Sequence, residues 1–230
     1  AGELGDRRWR EAGGDGMGRI RRSPCRVVVT RGGEPVADVP VSVVQTARGF
    51  PFGTEVPVPL LTTEAPDLSA YPYLAGRLKG QEDRLERYRE TVLDRQLFNV
   101  LSPAEALGWR GSEEPAGALA QKRLPELKEQ GWALRGHALY VPAFRFAPPR
   151  CRQMAADQLR AALLDFVREQ VARYRGMVSQ WDVVYAPLTY DEVYDMIGEE
   201  SLVQAYQAAA EPDPEAALLF ADDKSLSAPT

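Results

Sequence analysis

From Phe50 onward, short apolar and β-branched runs alternate with longer stretches whose apolar residues recur every three or four positions. The first pattern predicts strands and the second amphipathic helices, so the alternation predicts a parallel sheet wrapped by helices. Gln81 to Gln96 places Leu85, Tyr88 and Val92 on one helical face. Met154 to Tyr174 repeats Leu159, Leu163, Phe166, Gln170 and Tyr174 at the same steps, with Val167 and Val171 widening the stripe. A third helix is expected from Glu199 and Glu200, whose charge suits a helix start, to about Ala210, with Pro212 and Pro214 stopping it. Upstream, Cys25 to Thr30 and Val39 to Gln45 are β-branched runs separated by Arg-Gly-Gly-Glu-Pro, a turn signal. The chain therefore divides into a tail over residues 1–22, a short β-extension over 23–48 and an α/β domain over 49–230. The tail is Gly- and Arg-rich and aperiodic, and is expected to be disordered. The stretch from Pro57 to Gly80 is expected to be a long loop, of the kind that often carries function.

At 230 residues the chain can bury one sizeable core. Its net charge of −5 comes from mixed acidic and basic residues, and the one basic cluster, Arg7 to Arg10 with Arg19, Arg21 and Arg22, lies in the tail. Nucleic acid is not an expected partner. Neither is a membrane, since no apolar run approaches the roughly 20 residues of a span. Cys25 and Cys151 stand far apart in sequence, and pairing or two buried thiols remain open. There is one His and no Cys/His cluster, so neither a metal nor a cofactor is expected.

Several short motifs occur in a fixed order. They are Phe50-Pro51-Phe52-Gly53-Thr54, Phe98-Asn99 with Pro103 and Trp109, Arg135-Gly136-His137-Ala138-Leu139, and Trp181-Asp182-Val183-Val184. Ile197-Gly198-Glu199-Glu200 and Asp213-Pro214 with Leu218-Leu219-Phe220 and Asp222 complete the series. Their order and spacing resemble glycoside hydrolase family 10, the retaining endo-β-1,4-xylanases, from about Ile20 to Ser225. The resemblance implies about five βα units of a (β/α)₈ TIM barrel, preceded by the β-extension. Such a barrel typically takes about 250 residues, and the strand bearing the family's nucleophile is expected beyond Thr230. Five open strands leave two edges unpaired. The expectation is therefore a fragment, or a protein partner covering those edges. Extracellular placement follows from the family alone.

The resemblance also locates the chemistry and its losses. Where the family reads Trp-Asp-Val-Val-Asn-Glu, this chain reads Trp181 to Val184, then Tyr185 and Ala186. The family's acid/base position is thus Ala186, which has no proton to give. Tyr185 replaces the Asn that bonds the sugar's 2-hydroxyl and is placed to fill the cleft. After the second barrel strand, Ala104, Glu105 and Gly108 replace residues that grip the sugar. After the third, Val141, Pro142 and Phe144 replace a Trp, a His and a Gln. His137 is the one family sugar contact retained, though a strand-end His bonded into the core is the plainer reading. Glu105 is the one stand-in acid nominated. The expected function is a degenerate, non-catalytic domain with a residual carbohydrate-binding role towards a β-1,4-linked polysaccharide such as xylan. The competing expectations are an active xylanase using displaced carboxylates, and a protein-interaction module. For the latter, Tyr140, Val141, Pro142, Phe144 and Phe146 are the candidate apolar patch.

Overall fold

The computed structural model describes residues 24–44, 49–61, 68, 75–77 and 79–224. By internal contacts the chain forms two units, residues 1–45 and 46–230. In the first, β1 (Thr30–Arg31) and β2 (Glu34–Pro35) form a two-stranded antiparallel hairpin around Gly32 and Gly33, both at positive φ. The two longer strands expected here are not present among the described residues. Pairing stops within two residues on each side, and Val39 to Val44 carries no ladder. Asp38 at φ 58° turns the chain aside, and Pro40 has no N–H to donate. The tail over residues 1–22 lies outside the described residues.

The second unit is a five-stranded parallel sheet in sequential order: β3 (Gly53–Pro57), β4 (Val100–Ala104), β5 (Ala133–Tyr140), β6 (Val178–Tyr185) and β7 (Ala217–Ala221). Helices α1 (Glu82–Val92), α2 (Pro115–Glu129) and α3 (Ala156–Arg173) occupy the first three crossovers. Two shorter helices, α4 (Glu192–Ile197) and α5 (Glu200–Ala210), share the last. The α/β expectation of about five βα units holds. Among the described residues, no strand pairs the outer edges of β3 and β7.

Parallel register puts aligned residues on the same face. Val56, Leu101, Leu134, Trp181 and Val183 lie on the side packed by helices and belong to the buried core. The α3 stripe meets that side with Leu159, Leu163, Val167, Gln170 and Val171 buried. Val167 and Val171 are thus central to the stripe, and Phe166 only partly buried. In α1, Leu85 and Val92 pack against the core while Tyr88 remains exposed, a correction to the expected face. Gly136 on β5 lets the Trp181 ring lie against the strand, because any Cβ there would run into that ring.

The Pro57 to Gly80 stretch does not begin as an open loop. Val58–Leu61 forms a 3₁₀ turn whose four residues are buried, and the Leu61 carbonyl accepts from Arg123 Nε of α2 at 2.6 Å. Pro59 has no N–H to give to a ladder, so it does not favour continuing β3, but it does not prevent burial. Residues 62–67 and 69–74 lie outside the described residues. Between α4 and α5, Gly198 breaks the helix at φ 84°, and the Glu200 carboxylate pairs with Arg160 at 2.9 Å. The helix expected from Glu199 starts one residue later, at Glu200, and α4 was unforeseen. The Cys25 thiol is exposed and the Cys151 thiol buried, and both are free.

Candidate functional site

The opposite face of the sheet is polar. Glu55 aligns with Ser102, Arg135 with Gln180 and His137 with Asp182. Asp182 is the fixed point of this face, wholly buried and bonded on both sides. Arg135 donates through Nε at 3.1 Å and through Nη2 at 2.7 Å, and His137 Nδ1 lies 2.7 Å from Oδ2. Burial by itself raises the pKa of Asp182, but the bonds from His137 and Arg135, with the Arg135 charge, outweigh it and hold the carboxyl below its ordinary value. The plainer reading of His137, a strand-end side chain bonded into the scaffold, describes one of its nitrogens. One ring nitrogen is tied into the scaffold, yet the side chain stays 28% exposed and lines the cavity above.

That cavity, about 560 Å³, opens at the C-terminal ends of the strands, where barrels of this kind keep their sites. Tyr185 enters it from the end of β6, its ring 4.8 Å from His137 in an edge-on arrangement. Glu105 enters from the turn after β4, exposed, with φ 56°. The sequence nominated His137, Glu105 and Tyr185, and the structure brings all three to one cavity. Ala186 is different. It is wholly buried, at φ 55°, and is not among the lining residues. Its N–H donates to the Ala221 carbonyl and its own carbonyl accepts from Thr189 and Tyr190. Left-handed backbone at a non-glycine residue costs on the order of 1 kcal/mol, and both Glu105 and Ala186 sit just past a strand end facing this cleft.

The turn bearing Glu105 is held from three sides. Trp109 N–H donates to the Leu139 carbonyl at 2.8 Å, the Leu107 carbonyl accepts from buried Gln170 at 2.9 Å, and the Trp109 ring stacks on Phe166. Tyr140, which also lines the cavity, shares a buried hydroxyl bond of 2.9 Å with Tyr194. Burial pushes Tyr194 up to about 12, and Tyr140 higher still.

Four charged lining residues escaped the sequence reading: Glu55, Arg110, Glu114 and Arg145. Glu55 was legible, since in β3 it alternates with buried Val56 and must point to the other face. Arg145 was hidden inside an apolar-looking run. That run is not the exposed patch expected of it. Tyr140 and Pro142 are buried, Val141 and Phe144 half-buried, and only Phe146 is more than a third exposed. Among the described residues, no group of three His, Cys, Asp or Glu could hold a metal ion, and no helix is long and apolar enough to cross a membrane.

Comparison with known proteins gives a consistent answer. The family model for glycosyl hydrolase family 10 matches residues 77–227. The chain is 28% identical over 154 residues to endo-1,4-beta-xylanase A of Humicola insolens, covering 62% of this chain and 41% of that protein. It is 27% identical to the beta-1,4-xylanase of Dictyoglomus thermophilum, covering 60% and 42%. Among solved structures, xylanase 10B of Thermotoga petrophila RKU-1 in complex with xylobiose is 27% identical. It superposes with a TM-score of 0.51 over 60% of this chain and 45% of that one. The chain thus spans about two fifths of the length of these curated relatives. With the motifs in order along the strands and the matching model covering well over half of the residues, the chain belongs to glycosyl hydrolase family 10.

Proposed function

We propose that this is a xylanase-like domain without catalysis of its own, which keeps a cleft for β-1,4-linked xylose oligomers. The observation that carries the reading is the end of β6. The family's acid/base position is a buried methyl outside the cavity, and the preceding Tyr185 packs edge-on against His137. Retaining hydrolysis needs a carboxylic acid at the departing oxygen, and general acid help is worth roughly 10²–10⁴ in rate. A methyl supplies none. Binding is a separate matter, for which half-exposed Tyr185 and His137 and exposed Phe146 offer ring faces and a polar nitrogen. In this reading residues 49–230 are the sugar-facing domain and 23–48 its β-extension. An extracellular setting and a protein covering the edges of β3 and β7 accompany it, the latter motivated by the lack, among the described residues, of a strand on either edge.

One observation favours the competing reading of an active glycosidase. Glu55 and Glu105 line the same cavity beside the Arg110-paired Glu114, so two carboxylates outside that pair do face one cleft. Calorimetric titration of the purified chain with xylohexaose, with product analysis of the same mixture, separates the two. Heat of binding without shortened products supports the non-catalytic domain. Release of shorter oligomers overturns it and directs attention to Glu55→Gln and Glu105→Gln. Neither heat nor products from a folded sample removes the sugar from the proposal.

A further inference from the structure

One cation stands at the mouth of the cleft with no carboxylate to answer it. Arg145 is exposed, follows β5 and lines the cavity. Its guanidinium lies 4.6 Å from the ring centroids of both Phe146 and Tyr190, which are 5.7 Å from each other. Its Nη2 also donates to the Tyr190 hydroxyl. Among the described residues Arg145 enters no ion pair. The neighbouring Arg110 is committed otherwise, with Nε on Glu114 at 2.9 Å and Nη1 on the Arg145 carbonyl at 3.0 Å. Backbone and side chain of Arg145 are therefore both fixed, while its charge is unspent. Two rings restrict the guanidinium plane, which lowers the entropy lost when the fork engages a planar anion.

The rest of the lining says where that anion would sit. Glu114 in the lining is paired with Arg110, which leaves Glu55 on β3 and Glu105 after β4 as the acidic charge of the cleft, whereas Arg145 follows β5. Charge is thus graded along the sheet, from acidic at one side to basic at the other. A neutral sugar has no use for such a gradient. We propose that Arg145 is an anion subsite at the rim of the cleft, taking the carboxylate of a uronic acid carried on the sugar chain. Phe146 then flanks the sugar ring, and the neutral part of the ligand runs towards Tyr185 and His137. The inference rests on the carbohydrate-binding reading above and adds the chemical class of ligand to it.

The test is calorimetric titration with a neutral xylo-oligosaccharide and with the same oligosaccharide bearing one glucuronic acid branch, at low and high salt. The acidic oligomer is expected to bind roughly tenfold tighter at low salt, as a charge-assisted fork contact allows, with the advantage shrinking as salt screens it. Arg145→Gln is expected to abolish the preference, bringing the acidic oligomer's affinity to that of the neutral one. Arg145→Lys, which keeps the charge but loses the fork, retains only part of the preference and serves also if the Gln variant fails to fold. Equal affinity for both oligomers, or a preference that survives Arg145→Gln, overturns the subsite while leaving the carbohydrate reading intact. Binding of neither oligomer removes both.

Discussion

His137 Nδ1 lies 2.7 Å from the Oδ2 of Asp182, so the one histidine of the chain is oriented by a carboxylate that never meets solvent. Arg135 forks the same group from the neighbouring position on its own strand. Removing the shared acceptor strands both donors at once. Asp182→Ala is expected to cost about 3 kcal/mol, near the low end for breaking a buried pair because Arg135 remains partly solvated. Urea unfolding checks it, with a matching drop in midpoint and little change in slope.

The same carboxylate sets an acid limit. Its folded pKa lies below the ordinary 3.8, so its contribution to stability is complete above that value and is lost as pH falls through the lower folded value. Urea midpoints measured from neutral pH down to about pH 2 should fall less steeply in Asp182→Asn than in the wild type, the variant starting lower. Parallel curves would mean that other carboxylates govern acid unfolding.

Gly136→Ala is expected to be among the most damaging single changes in the chain. The added methyl meets the face of Trp181, which is fully buried and cannot move aside without disturbing the helix layer. Overpacking of this kind costs about 3 kcal/mol. Thermal melting and near-UV dichroism of Trp181 would register it.

A carboxyl introduced by Ala186→Glu should not by itself produce cleavage. The position is buried, at φ 55°, with both backbone groups already bonded and no place in the cavity lining. A carboxylate there lacks a partner, and a penalty of roughly 2–4 kcal/mol is expected. Product analysis on xylohexaose beside a melting curve reads both halves of this prediction. Shortened oligomers from a stable variant would show that one residue separates this chain from activity.

Tyr194→Phe leaves the buried Tyr140 hydroxyl without its partner 2.9 Å away. The expected cost is about 1–2 kcal/mol. The double change to Phe at both positions should recover part of it, which a double-mutant cycle measures directly.

The barrel strands and their order were legible because each contains or adjoins a motif with its own residues, from Phe50-Pro51-Phe52-Gly53, which opens β3, to Leu218-Leu219-Phe220 within β7. The long α3 stripe was legible for the same reason that it is stable, since one face must be apolar to pack. His137, Glu105 and Tyr185 converge as expected because strand ends of a parallel sheet all point one way. What escaped was fixed by contacts across the chain. The burial of Val58–Leu61 depends on Arg123 reaching a carbonyl 62 positions away, which no local pattern announces. Arg145 was passed over because its flanking Phe144 and Phe146 read as an apolar run, whereas in the fold Phe146 is a wall for its charge. The split into α4 and α5 hangs on the positive φ of Gly198, invisible in a run that otherwise looks like one helix start.

The two faces of the sheet have different freedoms to change. Substitutions at Trp181, Leu134 or Val183 disturb the layer that holds strands to helices. Substitutions at Tyr185, Glu105, Val141 or Arg145 alter only what the cleft can hold. A lineage can therefore rewrite its ligand preferences residue by residue without passing through an unfolded ancestor. Kinship therefore stays readable in the dry layer however far the wet one drifts.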